Sequence, residues 1–221
     1  MEVILLSAGK GIRTNLGYPK QFYPINGKPS IVMSLELFDG LPEVEKIFVT
    51  YNREFKSEYE KIFKDYHIGK AVLIEGGKTR QESVFEALKH VKSSRVIIHE
   101  AARPLISKEF VYDILSYSEE AVVVPALPIS FTVSEGQDYM TKILDRNRLR
   151  NIQLPQLFDS RILREVHQKA KDEGFEATED SMLAFKYGYP VRFVPGLETN
   201  IKITTSLDIL IVNHIVRGIR E

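Results

Sequence analysis

The sequence contains no cysteine among its 221 residues. This absence excludes disulfide scaffolding, thiolate catalysis and zinc sites built on cysteine. Histidine is sparse as well, and no two of the five histidines have the spacing of a metal-ligand pair. They are His67, His90, His99, His167 and His214. The sequence therefore gives no indication of a thiol enzyme or a zinc enzyme.

An excess of charge of either sign is also missing, because 30 Lys and Arg residues balance 30 Asp and Glu residues. Binding to nucleic acid or to a membrane surface usually relies on a basic surplus, so we expect neither as a partner. The first residues reach Glu2 and Lys10 without the long apolar stretch of a signal peptide or membrane span. We therefore expect a cytoplasmic protein.

Apolar, β-rich runs alternate with segments of helical periodicity through the first half of the chain. Strands are predicted at residues 3–6, 47–51, 71–74, 96–98 and 121–124. Helices are predicted at residues 31–38, 55–63, 81–91 and 108–117. This alternation predicts an α/β, Rossmann-like fold with a mostly parallel sheet and helices on both faces. Ligands of such sheets bind in the loops beyond the carboxyl ends of the strands.

The pattern changes at about residues 130–154, where polar and apolar residues alternate around the turn-like 135–138. This segment predicts a hairpin inserted into the α/β framework as a protruding β-arm. Helices at about 159–172, 179–187 and 206–219 and a strand at 191–194 complete the prediction. The length fits one domain over residues 1–221.

A glycine-rich, basic loop follows the first predicted strand at residues 7–13 (Ser-Ala-Gly-Lys-Gly-Ile-Arg), with Pro-Lys-Gln-Phe at 19–22. Glycines let backbone N–H groups approach phosphate oxygens, and cationic side chains neutralise the remaining charge. The spacing fits neither Walker A nor Gly-x-Gly-x-x-Gly, because Thr14 stands at the third glycine position. The alternative is a glycine turn with solvated basic residues, but three cations within eleven residues favour phosphate binding. They are Lys10, Arg13 and Lys20.

Residues 6–13 and 19–22 together resemble the N-terminal signature of nucleotidyltransferases. They are particularly similar to 2-C-methyl-D-erythritol 4-phosphate cytidylyltransferases and the related ribitol 5-phosphate cytidylyltransferases. The resemblance extends along nearly the whole chain, since further segments resemble family motifs in the same order. These segments are residues 76–84, 99–104, 145–147, 154–158, 178–181 and 200–205.

The resemblance implies a nucleotide side of the site and a metal. It places Arg13, Lys20 and Lys202 in catalysis. It assigns Mg²⁺ to Glu100, where relatives usually carry Asp, and we expect the neighbouring His99 to be a buried, hydrogen-bonded imidazole. The residues assigned to CTP are Ser7, Ala8, Gly9, Gly11, Gly77, Lys78, Arg80, Ser83 and Ala101.

The resemblance also implies an acceptor, a small polyol phosphate for which 2-C-methyl-D-erythritol 4-phosphate is the best match. Arg146 is expected to reach the acceptor across a homodimer formed through the β-arm. Thr178 lies in a pattern that is also typical of an ordinary helix N-terminus. The residues assigned to the acceptor are Arg103, Ser130, Arg146 and Thr178.

Two sequence changes leave alternatives for the acceptor open. Leu154 replaces the threonine of relatives, and Ser130 stands in a segment that lacks their Asp-Thr pair. Ribitol 5-phosphate or another phosphate or phosphonate is therefore an alternative acceptor. A non-catalytic nucleotide-binding protein is the alternative from another class, which CTP binding without pyrophosphate release would indicate.

Overall fold

The computed structural model describes residues 1–9 and 19–218. The strands are β1 (Glu2–Leu6), β2 (Pro24–Ile25), β3 (Lys28–Pro29), β4 (Lys46–Tyr51), β5 (Ala71–Glu75), β6 (Arg95–Glu100), β7 (Val122–Pro128), β8 (Ser134–Gly136), β9 (Met140–Ile143), β10 (Arg150–Ile152), β11 (Gln156–Asp159) and β12 (Arg192–Pro195). The helices are α1 (Ser30–Asp39), α2 (Lys56–Asp65), α3 (Arg80–Leu88), α4 (Lys108–Leu115), α5 (Ser160–Glu173), α6 (Asp180–Lys186) and α7 (Ser206–Gly218).

The described residues form a central, eight-stranded sheet. Strand β1 pairs in parallel with β4 and β6, β4 pairs in parallel with β5, and β12 pairs in parallel with β7. Strand β11 lies antiparallel between β6 and β7, and β10 also runs antiparallel to β7. The predicted α/β fold with a mostly parallel sheet is confirmed.

The sheet has a hydrophobic core on each face. Along β1, Val3 and Leu5 join the core that contains α1, α2 and α4, whereas Ile4 and Leu6 join the core that contains α3, α5 and α6. This division follows from the strand period of two, which sends successive side chains to opposite faces. Helices thus cover both faces, as predicted.

A strand within the sheet was missing from the sequence prediction. Strand β11 (Gln156–Asp159) is four residues long, and Pro155 and Gln156 interrupt the apolar pattern that marks the other core strands. Residues 200–205 are not part of a strand; there the Ile203 amide donates a hydrogen bond to the Ala102 carbonyl oxygen.

Strands β8 and β9 pair as an antiparallel hairpin within the predicted arm segment. Every residue of the two strands is exposed. The hairpin occupies only part of residues 130–154, because Arg150–Ile152 has already returned to the main sheet and pairs with β7. In the described part of the chain, no helix is both long and apolar enough to cross a bilayer.

Candidate active site

The loop that follows β1 is fixed to the neighbouring strand β4. The Ser7 hydroxyl donates to the Thr50 carbonyl oxygen over 2.6 Å, and the Ser7 amide donates to the Thr50 hydroxyl over 3.2 Å. Gly9 borders open space, since a Cβ placed on it would meet no atom within 4 Å. Gly11, predicted to bind CTP, and Arg13, predicted to be catalytic, lie at positions 10–18, outside the described residues.

The Ser7 carbonyl oxygen accepts two hydrogen bonds from elsewhere in the chain. The Tyr59 hydroxyl, on α2, donates to it over 2.8 Å, and the Gln21 side-chain amide donates to it over 2.7 Å. Tyr59 is fully buried, and burial raises the pKa of its phenol to about 12, so that it keeps its proton. These contacts hold the loop next to the segment that carries Lys20.

The second glycine-rich loop packs tightly between β5 and α3. A Cβ on Gly76 would lie 2.6 Å from the Ala8 Cβ, and a Cβ on Gly77 would lie 2.3 Å from the Glu82 Cβ, so neither position has room for a side chain. The Ser83 hydroxyl accepts the Gly77 amide proton over 3.1 Å. A reciprocal capping box between Thr79 and Glu82 begins the helix. The Ser83 side chain thus holds the backbone of the loop in place.

The two loops and the end of β6 enclose a cleft of about 290 Å³. It contains Lys20 and Lys202 together with every residue predicted to bind CTP except Gly11, which lies outside the described residues. Sequence reasoning missed Leu6, Gln21, Thr50, Thr79 and Ala102. The complete lining is Leu6, Ser7, Ala8, Gly9, Lys20, Gln21, Thr50, Gly77, Lys78, Thr79, Arg80, Ser83, Glu100, Ala101, Ala102 and Lys202.

Glu100 lies between two cations at the end of β6. Its Oε1 is 3.1 Å from the Arg80 Nε, and its Oε2 is 2.6 Å from the Lys202 Nζ. Burial would raise the pKa of this carboxyl, but the Lys202 ammonium and the Arg80 guanidinium outweigh it and lower the pKa to about 2. Glu100 is therefore ionised throughout the physiological range.

Arg80, predicted to contact CTP, binds three carboxylates. Besides Glu100, its NH1 lies 2.7 Å from the Asp180 Oδ2 and its NH2 lies 3.0 Å from the Glu179 Oε2. Burial would lower the pKa of Arg80, but the carboxylates raise it above its ordinary value. The guanidinium is therefore a permanent cation that organises the acidic groups around it.

Glu179 and Asp180 do not line the cleft, but both support it through Arg80, a role that sequence reasoning missed. The sequence pattern predicted a helix N-terminus, and α6 does begin at Asp180. Glu179, however, makes no side-chain capping bond, and both carboxylates contact Arg80. Acidic residues are so common in first helical turns that no local signal distinguishes these two.

Lys202 enters the cleft from a segment near the other end of the chain. Ile203 is fully buried beside it and joins a small core with α7 and β2. Lys202 instead points to Glu100. Lys202 therefore faces away from its buried neighbour Ile203 and lines the cleft.

Arg103 does not line the cleft, although it was predicted to bind the acceptor phosphate. It is buried, and its NH1 donates to the Asn200 carbonyl oxygen over 2.7 Å. The Nε2 of His99 lies 3.0 Å from the Arg103 carbonyl oxygen. Burial, aided by the Arg103 charge, lowers the pKa of His99 to about 3. His99 is thus the buried, hydrogen-bonded imidazole that the sequence predicted.

The other residues assigned to the acceptor also lie outside the cleft of this single chain. The Arg146 NH1 donates to the Ser130 carbonyl oxygen over 3.1 Å on the exposed arm. The Thr178 hydroxyl lies 3.3 Å from the Met182 sulfur. Within one chain the structure does not bring these side chains to Lys202.

Leu154 belongs to the hydrophobic core rather than to a binding surface. Its side chain is buried among the residues that pack with α3, α5 and α6. Its carbonyl oxygen accepts a 2.6 Å hydrogen bond from the Asn200 side chain. Leu154 therefore packs in the core and does not line the cleft.

Among the described residues, no cluster of three or more His, Asp or Glu side chains could bind a metal ion by itself. Glu100 is the carboxylate predicted as a metal ligand, and it lines the cleft. Magnesium often binds proteins through one or two carboxylates while substrate phosphates and water complete its shell. The donor set here fits an ion that arrives with a nucleotide.

Comparison with known proteins places this chain in a family. The family described as IspD, 2-C-methyl-D-erythritol 4-phosphate cytidylyltransferase, matches residues 1–218. The chain belongs to this family. A 2-C-methyl-D-erythritol 4-phosphate cytidylyltransferase of Bacillus cytotoxicus is 36% identical over 213 residues, which cover 95% of this chain and 94% of that protein.

Solved structures agree with the membership of the IspD family. The cytidylyltransferase of Thermus thermophilus superposes with a TM-score of 0.82 at 29% identity, covering 98% of this chain and all of that one. The 4-diphosphocytidyl-2C-methyl-D-erythritol synthase of Anaerococcus prevotii gives a TM-score of 0.85 at 26% identity, covering 98% of this chain and 97% of that one. As an IspD-family protein, the chain is a nucleotidyltransferase.

Proposed function

We propose that this chain transfers the cytidylyl group of CTP to 2-C-methyl-D-erythritol 4-phosphate and releases pyrophosphate, a step of isoprenoid precursor synthesis. The observation that carries the proposal is the convergence of Lys20 and Lys202 on a cleft walled by two glycine-rich loops. The family description and the names of the relatives support this acceptor over ribitol 5-phosphate.

In the proposed reaction an oxygen of the acceptor phosphate forms a bond to the α-phosphorus of CTP. The bond from that phosphorus to the oxygen bridging to the β-phosphate breaks, and pyrophosphate leaves with the electron pair. No general base is required, because the attacking phosphate is already anionic at neutral pH. Catalysis then consists of positioning and of stabilising charge on the α-phosphate oxygens.

Lys20 and Lys202 supply the stabilising charge within the described residues. The Lys20 Nζ lies 2.8 Å from the Ile203 carbonyl oxygen, which places the Lys20 ammonium against the segment that carries Lys202. Glu100 holds Lys202 in the cleft before the phosphates enter. Arg13, outside the described residues, is the third predicted cation of this group.

We infer that Mg²⁺ enters with the triphosphate and that Glu100 is its protein ligand. When bound, the ion would neutralise phosphate charge. Glu100 suits this role because it is ionised and borders the cleft, whereas Glu179 and Asp180 do not line it. Arg80 and Lys202 contact the two oxygens of Glu100, so the ion would displace at least one of these contacts.

We further infer a homodimer formed through the arm. A two-stranded hairpin is marginally stable by itself in water, and here it presents Phe131, Tyr139 and Ile143 at 79%, 85% and 85% exposure. A second copy of the chain would cover these side chains and bring the partner's arm, with its phosphate-binding arginine, towards the cleft. The cytoplasmic location expected from the sequence remains a prediction.

A panel of acceptors tests the proposed function. Pyrophosphate release is measured with CTP, ATP or UTP and with 2-C-methyl-D-erythritol 4-phosphate, ribitol 5-phosphate or a phosphonate. Release should require CTP and the erythritol phosphate. Faster pyrophosphate release with ribitol 5-phosphate would show that ribitol 5-phosphate is the acceptor. CTP binding without pyrophosphate release in the presence of any acceptor would indicate a non-catalytic protein.

A further inference from the structure

A buried histidine lies behind the acidic side of the cleft. His167 is on α5, and its Nε2 is 2.9 Å from the Asp180 Oδ1. A carboxylate accepts hydrogen bonds, so this nitrogen carries the proton. The imidazole also stacks on the Phe85 ring, at 6.4 Å between centroids and 27° between planes. Both contacts fix the direction in which the N–H points.

Asp180 connects His167 to Arg80. Its second oxygen accepts from the Arg80 NH1 over 2.7 Å, so the buried carboxylate is held by one donor on each oxygen. Burial would raise the pKa of Asp180, but Arg80 and His167 lower it to about 2, so both bonds have an ionised acceptor. A carboxylate gripped at both oxygens cannot rotate without breaking a bond.

Arg80 in turn shares Glu100 with Lys202. The Arg80 Nε binds one oxygen of Glu100, and the Lys202 Nζ binds the other. The guanidinium is planar and rigid, so its two anchors, NH1 on Asp180 and NH2 on Glu179, together determine where its Nε lies. If Arg80 withdraws, Glu100 loses the contact on its Oε1 and keeps the contact between its Oε2 and Lys202.

We propose that His167 is a positioning residue, which aims Arg80 through Asp180. It thereby limits how strongly Glu100 holds Lys202. Lys202 must leave part of its contact with Glu100 to stabilise the phosphates as charge develops in the reaction. Loss of the His167 bond tightens the Glu100–Lys202 pair and lowers turnover more than nucleotide binding. The proposal rests on the proposed cytidylyl transfer, in which Lys202 is catalytic.

Three substitutions of His167 separate positioning from packing. In His167→Gln the amide nitrogen can take the place of Nε2 and donate to Asp180. In His167→Asn the amide is one methylene too short to reach, and His167→Leu removes the donor while keeping an apolar side chain. His214→Gln, on an exposed position of α7, is the matched control.

We expect His167→Asn and His167→Leu to lower kcat about tenfold, the scale of mutations that act through a contact network. The KM for CTP should change by less than about threefold, because the contact that weakens is that of Lys202 with the phosphates as charge develops in the transition state. His167→Gln and His214→Gln should stay within about threefold of the wild type in kcat. Equal losses in the Gln and Asn variants, or unchanged kcat in all three, would overturn the proposal.

A second measurement does not depend on turnover. Lysines are labelled with ¹³C-methyl groups, and the Lys202 resonance is assigned with Lys202→Arg. That resonance should move in His167→Leu and His167→Asn but not in His167→Gln, and a resonance unmoved in all variants would contradict the relay. If the wild type transfers no cytidylyl group while the resonance moves as expected, the proposed function fails and the positioning role stands.

Discussion

The ammonium nitrogen of Lys20 lies 2.8 Å from the backbone carbonyl oxygen of Ile203. Lys20 and Ile203 are 183 positions apart, so this contact joins the segment after the first loop to the segment that carries Lys202. Because Ile203 is buried in a small core with α7, the contact ties the position of Lys20 to packing at the far end of the chain. This contact therefore fixes Lys20 relative to the segment that carries Lys202, the other lysine predicted to be catalytic.

Lys20→Ala should lower kcat by about two to three orders of magnitude, the scale of losing one donor that stabilises an oxyanion. Steady-state pyrophosphate release measures the effect, with Lys61→Ala on the exposed surface of α2 as the control. Turnover near the wild-type rate would remove Lys20 from the mechanism.

Gly77→Ala should weaken CTP binding at least tenfold, because its Cβ would clash with the Glu82 Cβ and the loop must shift. Gly69→Ala, where a Cβ would meet no atom within 4 Å, is the matched control. Isothermal titration with CTP gives the affinities directly, and equal affinity in the two variants would show that the loop does not need its close packing.

Tyr59→Phe should destabilise the fold by about 1 kcal/mol and weaken CTP binding several-fold, because the Ser7 carbonyl oxygen loses one of two donors. Urea unfolding and CTP titration measure the two effects. Tyr112→Phe removes a hydroxyl that bonds Glu43 on the surface and should alter neither. An unchanged CTP affinity in Tyr59→Phe would confine its role to folding.

His99 should make the fold less stable as the pH falls from about 6.5 towards 3. Its folded pKa of about 3 lies below the ordinary 6.5, so the unfolded chain binds the proton first. Stability is fully present above pH 6.5 and falls by up to about 1.4 kcal/mol per pH unit below it. His99→Gln keeps a donor for the Arg103 carbonyl oxygen and should flatten the slope. Urea unfolding between about pH 5 and 6.5 tests this, and identical slopes would refute it.

Ile143→Asp should convert the inferred dimer into monomers, because it places a charge among the exposed apolar side chains of the arm. Lys142→Gln is the control, since adjacent strand residues face opposite sides and this change places no acid opposite Glu135. Sedimentation velocity distinguishes the species. A wild-type monomer at assay concentrations would contradict the inference itself.

Local patterns allowed much of the fold and one side of the site to be predicted. Strand β1 and the glycines that follow it stand out because apolar runs, glycines and cations are short-range signals. The ion pairs of Arg80 with Glu179 and Asp180 were not predictable in this way, because these partners lie 99 and 100 positions away in the sequence. Arg103 shows the opposite case, in which a basic residue in a family motif turns inward to a backbone carbonyl.

During synthesis of the chain, the contact between Glu100 and Lys202 can form only after residue 202 has been added. Ribosomes add about 5–20 residues per second, so Lys202 emerges roughly 5–20 s after Glu100. During that interval the nascent chain already has both glycine-rich loops and the end of β6, but no lysine beside Glu100. In the proposed reaction, a nascent chain that has not yet reached Lys202 lacks one of the catalytic cations, and we expect it to release no pyrophosphate.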